Sequence, residues 1–253
     1  MTKLKIASLD GTPEIFHSIQ GEGKNIGQPS VFIRTSLCNL HCIWCDTDYT
    51  WNWEKTRFTH VKDADPSYKK YKMDEMIISL TLEEIYNEVS KSGCKNIVLT
   101  GGEPMMQLQE LSGLMNFFNS KADDYFFEIE TNGTLLPDAT FDALIDQYNV
   151  SPKLANSNNP KKLREKPEAY NYFSENEKAV FKFVISAEND LTEVLEICKN
   201  YNIPNQKVYL MPEGTHPEAL KKKQQWLIEI CKKYQFNYTD RLHVHIYGDK
   251  RGV

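Results

Sequence analysis

The sequence predicts an α/β fold: a partial, open (β/α)6-type barrel in one domain of 253 residues. Two observations predict it. From residue 29 onward, runs rich in β-branched and aromatic residues alternate with amphipathic helical segments. That order builds a mainly parallel sheet with right-handed crossovers. A short polar motif follows each strand-like run, and the carboxyl ends of parallel strands are where such folds build active sites.

"PSVFIRTSL" reads as the first buried strand and runs into a cysteine loop. "LTLEEIYNEVSKSG" reads as a helix with Thr81 as N-cap, Glu84 completing a capping box and Gly93 as the stop. "NIVLT" is a strand ending in "GGEP", and Leu108, Leu111, Leu114, Met115 and Phe118 give a helical stripe. "YFFEIE" is a strand ending in "TNG"; "LPDATFDALIDQY" is a helix with proline near its start. "YNVSPK" is a short strand and "KAVFKFVIS" another. "DLTEVLEICKNY" is a helix, "QKVYLMP" a strand leading to "MPEG", and "PEALKKKQQWLIEICKKY" a helix. "RLHVHIY" reads as the final strand, followed by "GDKRG". Residues 51–80 and 156–177 break the rhythm and read as insertions, either lids or plain surface loops.

Composition is 40% hydrophobic and 26% charged, with a formal net charge of -5. An acidic balance argues against nucleic acid as a partner. The first residues hold no apolar core of signal-peptide length, and no run approaches the ~20 apolar residues that span a bilayer. A soluble, cytoplasmic protein with no membrane partner is expected.

Of six cysteines, Cys94, Cys198 and Cys231 are scattered and read as buried small hydrophobes. Cys38, Cys42 and Cys45 have ligand spacing. Structural zinc sites and ferredoxin-type clusters both take four ligands. Three thiolates on a four-iron cluster leave one iron free, and an open position on a metal is where a substrate or cofactor binds.

"CNLHCIWC", with Trp44 before its last cysteine, resembles the signature loop of the radical S-adenosylmethionine (SAM) superfamily, and "GGEP" resembles its glycine-rich motif. "FHSIQGEGKNIGQPSVFIRTSLCNLHCIWCDTDYTW", "TGGEP", "ETNG", "VSPK" and "LMPEG" together resemble the 7-carboxy-7-deazaguanine synthase family, lyases of queuosine and deazapurine biosynthesis. The resemblance implies a [4Fe-4S] cluster on Cys38, Cys42 and Cys45, SAM on the fourth iron and Mg²⁺ on Thr47. Unaided chemistry points to Asp46 or Asp48 for the magnesium instead.

It implies SAM contacts from Gly101, Gly102 and Glu103, from Ser151, Pro152 and Lys153, and from Met211, Pro212, Glu213 and Gly214. Trp44 shields the cluster in this reading; plain packing explains it too, and Met211 has a core alternative. The implied substrate is 6-carboxy-5,6,7,8-tetrahydropterin, met by Ile19, Gln20, Gly21, Glu22, Arg34, Thr100, Glu130 and His243. Glu130 faces either substrate or the SAM ribose, and Arg34 has a surface ion pair as its alternative. On a strand, His243 and His245 share a face, so geometry does not separate them. The tail "YGDKRGV" departs from shorter members, and whether Val253 reaches the site is open. Further implications are a homodimer and a reducing partner such as flavodoxin or ferredoxin. Two rivals stand: a SAM-dependent activase that makes a glycyl radical on a partner protein, and a non-enzymatic, metal-stabilised binding protein.

Overall fold

The computed structural model describes residues 2–122 and 124–253. It opens with β1 (Lys3–Leu9), β2 (Thr12–Pro13) and β3 (Ile15–Ile19), which the sequence pattern did not announce. Then come β4 (Pro29–Thr35), β5 (Ile77–Thr81), α1 (Leu82–Ser90), β6 (Asn96–Gly101) and α2 (Leu108–Asn119). β7 (Phe126–Thr131), α3 (Ala139–Leu144), β8 (Gln147–Val150), α4 (Lys161–Arg164) and α5 (Pro167–Glu175) follow. β9 (Ala179–Ile185), α6 (Asp190–Asn200), β10 (Val208–Pro212), α7 (Pro217–Tyr234), β11 (Asn237–Tyr238) and α8 (Leu242–Tyr247) complete it.

One sheet runs β11-β10-β9-β8-β7-β6-β4-β1-β2, with β3 also on β4 and β5 also on β1; it ends on different strands and stays open. Every neighbouring pair from β4 to β11 is parallel. The N-terminal strands and β5 pair antiparallel. The predicted α/β class and open sheet therefore hold. Thr81 and Glu84 form the anticipated capping box on α1, a device worth about 1 kcal/mol. Ile33, Leu99, Ile129, Val150, Phe183 and Leu210 put six parallel strands into one core, packed against Leu111, Phe118, Tyr170, Val194 and Leu227.

Three expectations change. "RLHVHIY" is the helix α8, because Asn237–Tyr238 already occupies the edge position beside β10. A strand would bury Leu242, Val244 and Ile246 alike; here Val244 is 3% exposed and Ile246 54%. Residues 156–177 are no surface insertion: Tyr170 and Phe173 of α5 are fully buried in the core. Residues 51–76 wrap around Asp48, whose buried carboxylate accepts from Lys62 Nζ at 2.9 Å and Tyr68 Oη at 2.6 Å. Among the described residues, no helix is long and apolar enough to cross a membrane.

Candidate active site

A cavity of about 250 Å³ opens at the carboxyl edge of the parallel strands. Cys38, Cys42, Cys45 and Trp44 line it from the loop after β4, and Thr100, Gly101 and Gly102 from the end of β6. Glu130 and Asn132 enter from β7, Ser151 and Lys153 from β8, and Met211, Glu213 and Gly214 from β10. Ile19, Gln20, Gly21, Glu22 and Arg34 supply the opposite wall, with Thr47, Asp46 and His243 between. Gly248 to Val253 also line it, so the tail does reach the site. Pro152, Glu103 and Pro212 stand outside this lining.

The cysteine loop is fixed from three sides. Leu37 turns the chain at φ 77°, donating from its N to Thr50 O at 3.2 Å. Its carbonyl accepts from Glu103 N at 2.8 Å, while Gly102 N donates to Thr35 O at 3.1 Å, so GGEP is stitched to the loop. A Cβ on Gly101 or Gly102 would overlap the Thr35 or Leu37 backbone. Their missing side chains allow this strand-to-loop approach, a constraint additional to the expected close approach to SAM. The 155–159 turn holds the far side: Ile43 N donates to Ser157 O at 3.0 Å, Trp44 Nε1 to Asn156 O at 2.9 Å, and Asn159 Nδ2 to Cys42 Sγ at 3.3 Å. His60 Nε2 lies 2.8 Å from Cys45 O. Both supposed insertions thus hold the loop that carries the thiols.

Glu103 has a structural role that the sequence did not announce. Its fully buried carboxylate accepts from Met105 N at 3.0 Å, Thr131 Oγ1 at 2.8 Å and Asn132 N at 2.7 Å, fastening GGEP to the β7 turn. Burial pushes its pKa up. Burial also raises the Cys38, Cys42 and Cys45 thiols, Cys42 to about 12. Thiols held neutral this way become thiolates when a cationic centre displaces the proton. Among the described residues, no three His, Cys, Asp or Glu side chains converge on a single metal ion. Three soft donors facing one cavity suit an iron–sulfur cluster. Lys153 Nζ donates to Ser151 Oγ at 2.8 Å on the same wall, a pair suited to a carboxylate.

The opposite wall is a charge network. Glu22 accepts from Arg241 Nε at 2.9 Å and is paired with the buried Lys182 ammonium. Burial works against its ionisation, but Lys182, Arg241 and His243 together hold its pKa well below the usual carboxylate range. Lys182 Nζ also lies 4.0 Å from Glu130, which accepts from Thr100 Oγ1 at 2.7 Å. Gln20 spends its amide internally: Nε2 donates to Glu128 at 2.6 Å, and Oε1 accepts from Glu22 N at 3.1 Å. Arg34 Nε donates to Glu14 at 3.1 Å, so the guanidinium is both ion-paired and cavity-facing.

In α8, two residues apart means opposite faces. His243 lines the cavity above Gly21, where any Cβ would overlap its ring, whereas His245 turns to Asp240 at 3.2 Å. Thr47 Oγ1 lies 3.4 Å from Cys45 Sγ on the cavity wall. Asp46 is paired with Arg241, and Asp48 is buried against Lys62 and Tyr68, outside the lining.

The description "Radical SAM superfamily" matches residues 32–212. A 7-carboxy-7-deazaguanine synthase from Pyrobaculum aerophilum is 32% identical over 244 residues, 94% of this chain and 95% of its own. The chain belongs to the 7-carboxy-7-deazaguanine synthase family. Its relative of that name in Rhodopirellula baltica is 32% identical over 95% of this chain and 87% of its own. The crystal structure of QueE from Escherichia coli shares the fold, with a TM-score of 0.67 at 22% identity over 96% of each chain. Sequence reading of this family member missed Lys182, Arg241 and Arg251. Lys182 had a signal, a lone charge within the apolar run "AVFKFVI". Arg251 lies in "GDKRG", a motif marked at the site edge with no role given to the arginine, and Arg241 opens a run read as a strand, which hid it.

Proposed function

We infer that the protein is a radical SAM carbon–nitrogen lyase, converting 6-carboxy-5,6,7,8-tetrahydropterin to 7-carboxy-7-deazaguanine with loss of ammonia. One observation carries the reading: three cysteines with no fourth share a cavity with the charged wall built by Gln20–Glu22, Arg34 and Lys182. When bound, a four-iron cluster and SAM supply one-electron, hydrogen-abstracting chemistry that side chains lack. The chain's part is to hold and orient.

Cys38, Cys42 and Cys45 would hold the cluster, and SAM would take the position that three thiolates leave open. Ser151 and Lys153 take the SAM carboxylate, backbone at Gly101–Gly102 its amino end, and Met211, Glu213 and Gly214 its adenosine side. Glu22, held ionised by Lys182 and Arg241, accepts from pterin N–H groups, as does Glu130 on the same wall. Arg34 meets the substrate carboxylate, and His243 closes over it beside Gly21. Thr47 would hold Mg²⁺, which would supply a hard cation to fix the substrate carboxylate. Asp46 and Asp48 are otherwise engaged, which supports that choice. The same reading includes a single domain, a cytoplasmic homodimer and reduction by flavodoxin or ferredoxin.

An activase needs room for a partner backbone, and residues 248–253 add to the wall here. A structural zinc site takes four ligands, and the loop offers three closely spaced cysteines. The test is anaerobic incubation of the iron-loaded protein with SAM, dithionite, Mg²⁺ and the carboxypterin. The expected result is the carboxydeazaguanine and ammonia in equal amounts; an unaltered pterin overturns the reading.

A further inference from the structure

Glu14 is a buried carboxylate in the cavity wall that the reading above does not use. Its Oε1 accepts from Arg34 Nε at 3.1 Å and from Tyr49 Oη at 3.1 Å. Its Oε2 accepts from Arg251 Nη2 at 2.7 Å. Arg251 also donates to Ser8 O at 2.9 Å, and its guanidinium carbon stands 3.4 Å from the centre of the Tyr49 ring. The next residue, Gly252, has φ 71° and lies against Leu9, where a Cβ would crowd the leucine. Residues 248–253 are thus seated on β1 and Tyr49 through one arginine.

Arg34 gains from this arrangement. A guanidinium and a carboxylate prefer a bidentate fork. Glu14 meets Arg34 only through Nε, and among the described residues the two terminal amines of Arg34 carry no hydrogen bond. With Oε2 taken by Arg251, Glu14 is held from swinging onto the Arg34 fork. The fork stays free beside the cavity.

We propose that Arg251 is a positioning residue: by occupying Glu14 it seats the tail in the cavity wall and keeps the terminal amines of Arg34 available to an anionic substrate group. This rests on the reading that Arg34 meets the substrate carboxylate.

The full chain, loaded with iron, tests it through steady-state kinetics. R251A should raise KM for the carboxypterin about tenfold while kcat, KM for SAM and the melting temperature stay near wild type. R251K, which keeps the charge, should recover part of that loss. In the double variant R251A/E14Q the competing carboxylate is gone, so its pterin KM should fall below that of R251A; simple structural damage would instead worsen. An endoprotease that cuts before Asp249 should nick R251A faster than wild type, since cleavage needs local opening. An unchanged pterin KM, a double variant no better than R251A, or equal nicking overturns the proposal. If R251A fails to fold, R251K carries the same comparisons. Wild-type protein that leaves the pterin unaltered contradicts the proposed function instead, and the nicking rates still decide whether Arg251 seats the tail.

Discussion

Lys182 is 4% exposed on a strand whose seven residues are all buried. An ammonium survives there only beside carboxylates, here Glu22 and Glu130. Lys182→Met leaves Glu22 to Arg241 and His243 and should lower stability by about 3 kcal/mol in denaturant titration, with pterin turnover lost first. The cysteines give a cleaner contrast. Cys38→Ala, Cys42→Ala and Cys45→Ala should each abolish bound iron, while Cys94→Ala, Cys198→Ala and Cys231→Ala should retain it. Cys198 and Cys231 sit in the core, so their variants should also melt earlier; iron loss in this second group would break the ligand assignment. Thr47→Ala should blunt the response of activity to added Mg²⁺ and leave the iron absorbance unchanged. If Asp46→Asn loses that response and Thr47→Ala keeps it, the metal sits on the carboxylate.

Glu128 sets a pH dependence at the same scale. Burial, reinforced by Glu130, raises its pKa from 4.5 to about 7, against the amide donors Asn25 and Gln20. A carboxyl with a raised folded pKa binds more protons folded than unfolded between those values. Stability from this group is therefore fullest below pH 4.5 and declines as pH rises to about 7. Glu22 acts oppositely, its contribution being lost on acidification. Chemical denaturation across that window should show a shallower decline for Glu128→Gln than for wild type; identical slopes would mean Glu128 stays ionised throughout.

At the scale of elements, the motifs marked the site well because chemistry is written in residue types. The cysteine loop, the two glycines of GGEP, Ser151 with Lys153, and Gln20–Glu22 all reach one cavity. What supports them was less legible. α4 and α5 span four and nine residues, too few for a helical period to stand out, so 156–177 looked like an insertion. "RLHVHIY" alternates like a strand, and only the occupied sheet edge makes it a helix. β1 and β3 depend on long-range antiparallel pairing with β4 and β5, which no local pattern records, whereas the Asp10–Gly11 turn that joins β1 to β2 was a local signal left unread. The supporting turns also matter to the chemistry. Asn159 accepts from His41 N at 2.9 Å as well as donating to Cys42. Asn159→Ala should cost about 0.5–1.5 kcal/mol, by removing the acceptor of a part-buried N–H and a donor to Cys42, and should speed iron loss to a chelator. An unchanged chelation rate would show that the cysteine loop holds itself.

Across the whole molecule, an open sheet places six strand ends around one cavity and leaves a side for residues 248–253 to line. Fold class was readable from the βα rhythm, and the family from motifs spread over most of the chain. The charge network was not, because Glu22, Lys182 and Arg241 come from distant stretches that only the tertiary fold brings together. The central claim is that this cavity holds SAM as a reusable cofactor while the pterin loses ammonia. The most direct measurement is the ratio of carboxydeazaguanine formed to 5′-deoxyadenosine accumulated, in one anaerobic reaction with SAM substoichiometric to pterin. The account predicts many products per SAM and little deoxyadenosine. One deoxyadenosine for each turnover, or deoxyadenosine with no deazaguanine, would contradict it.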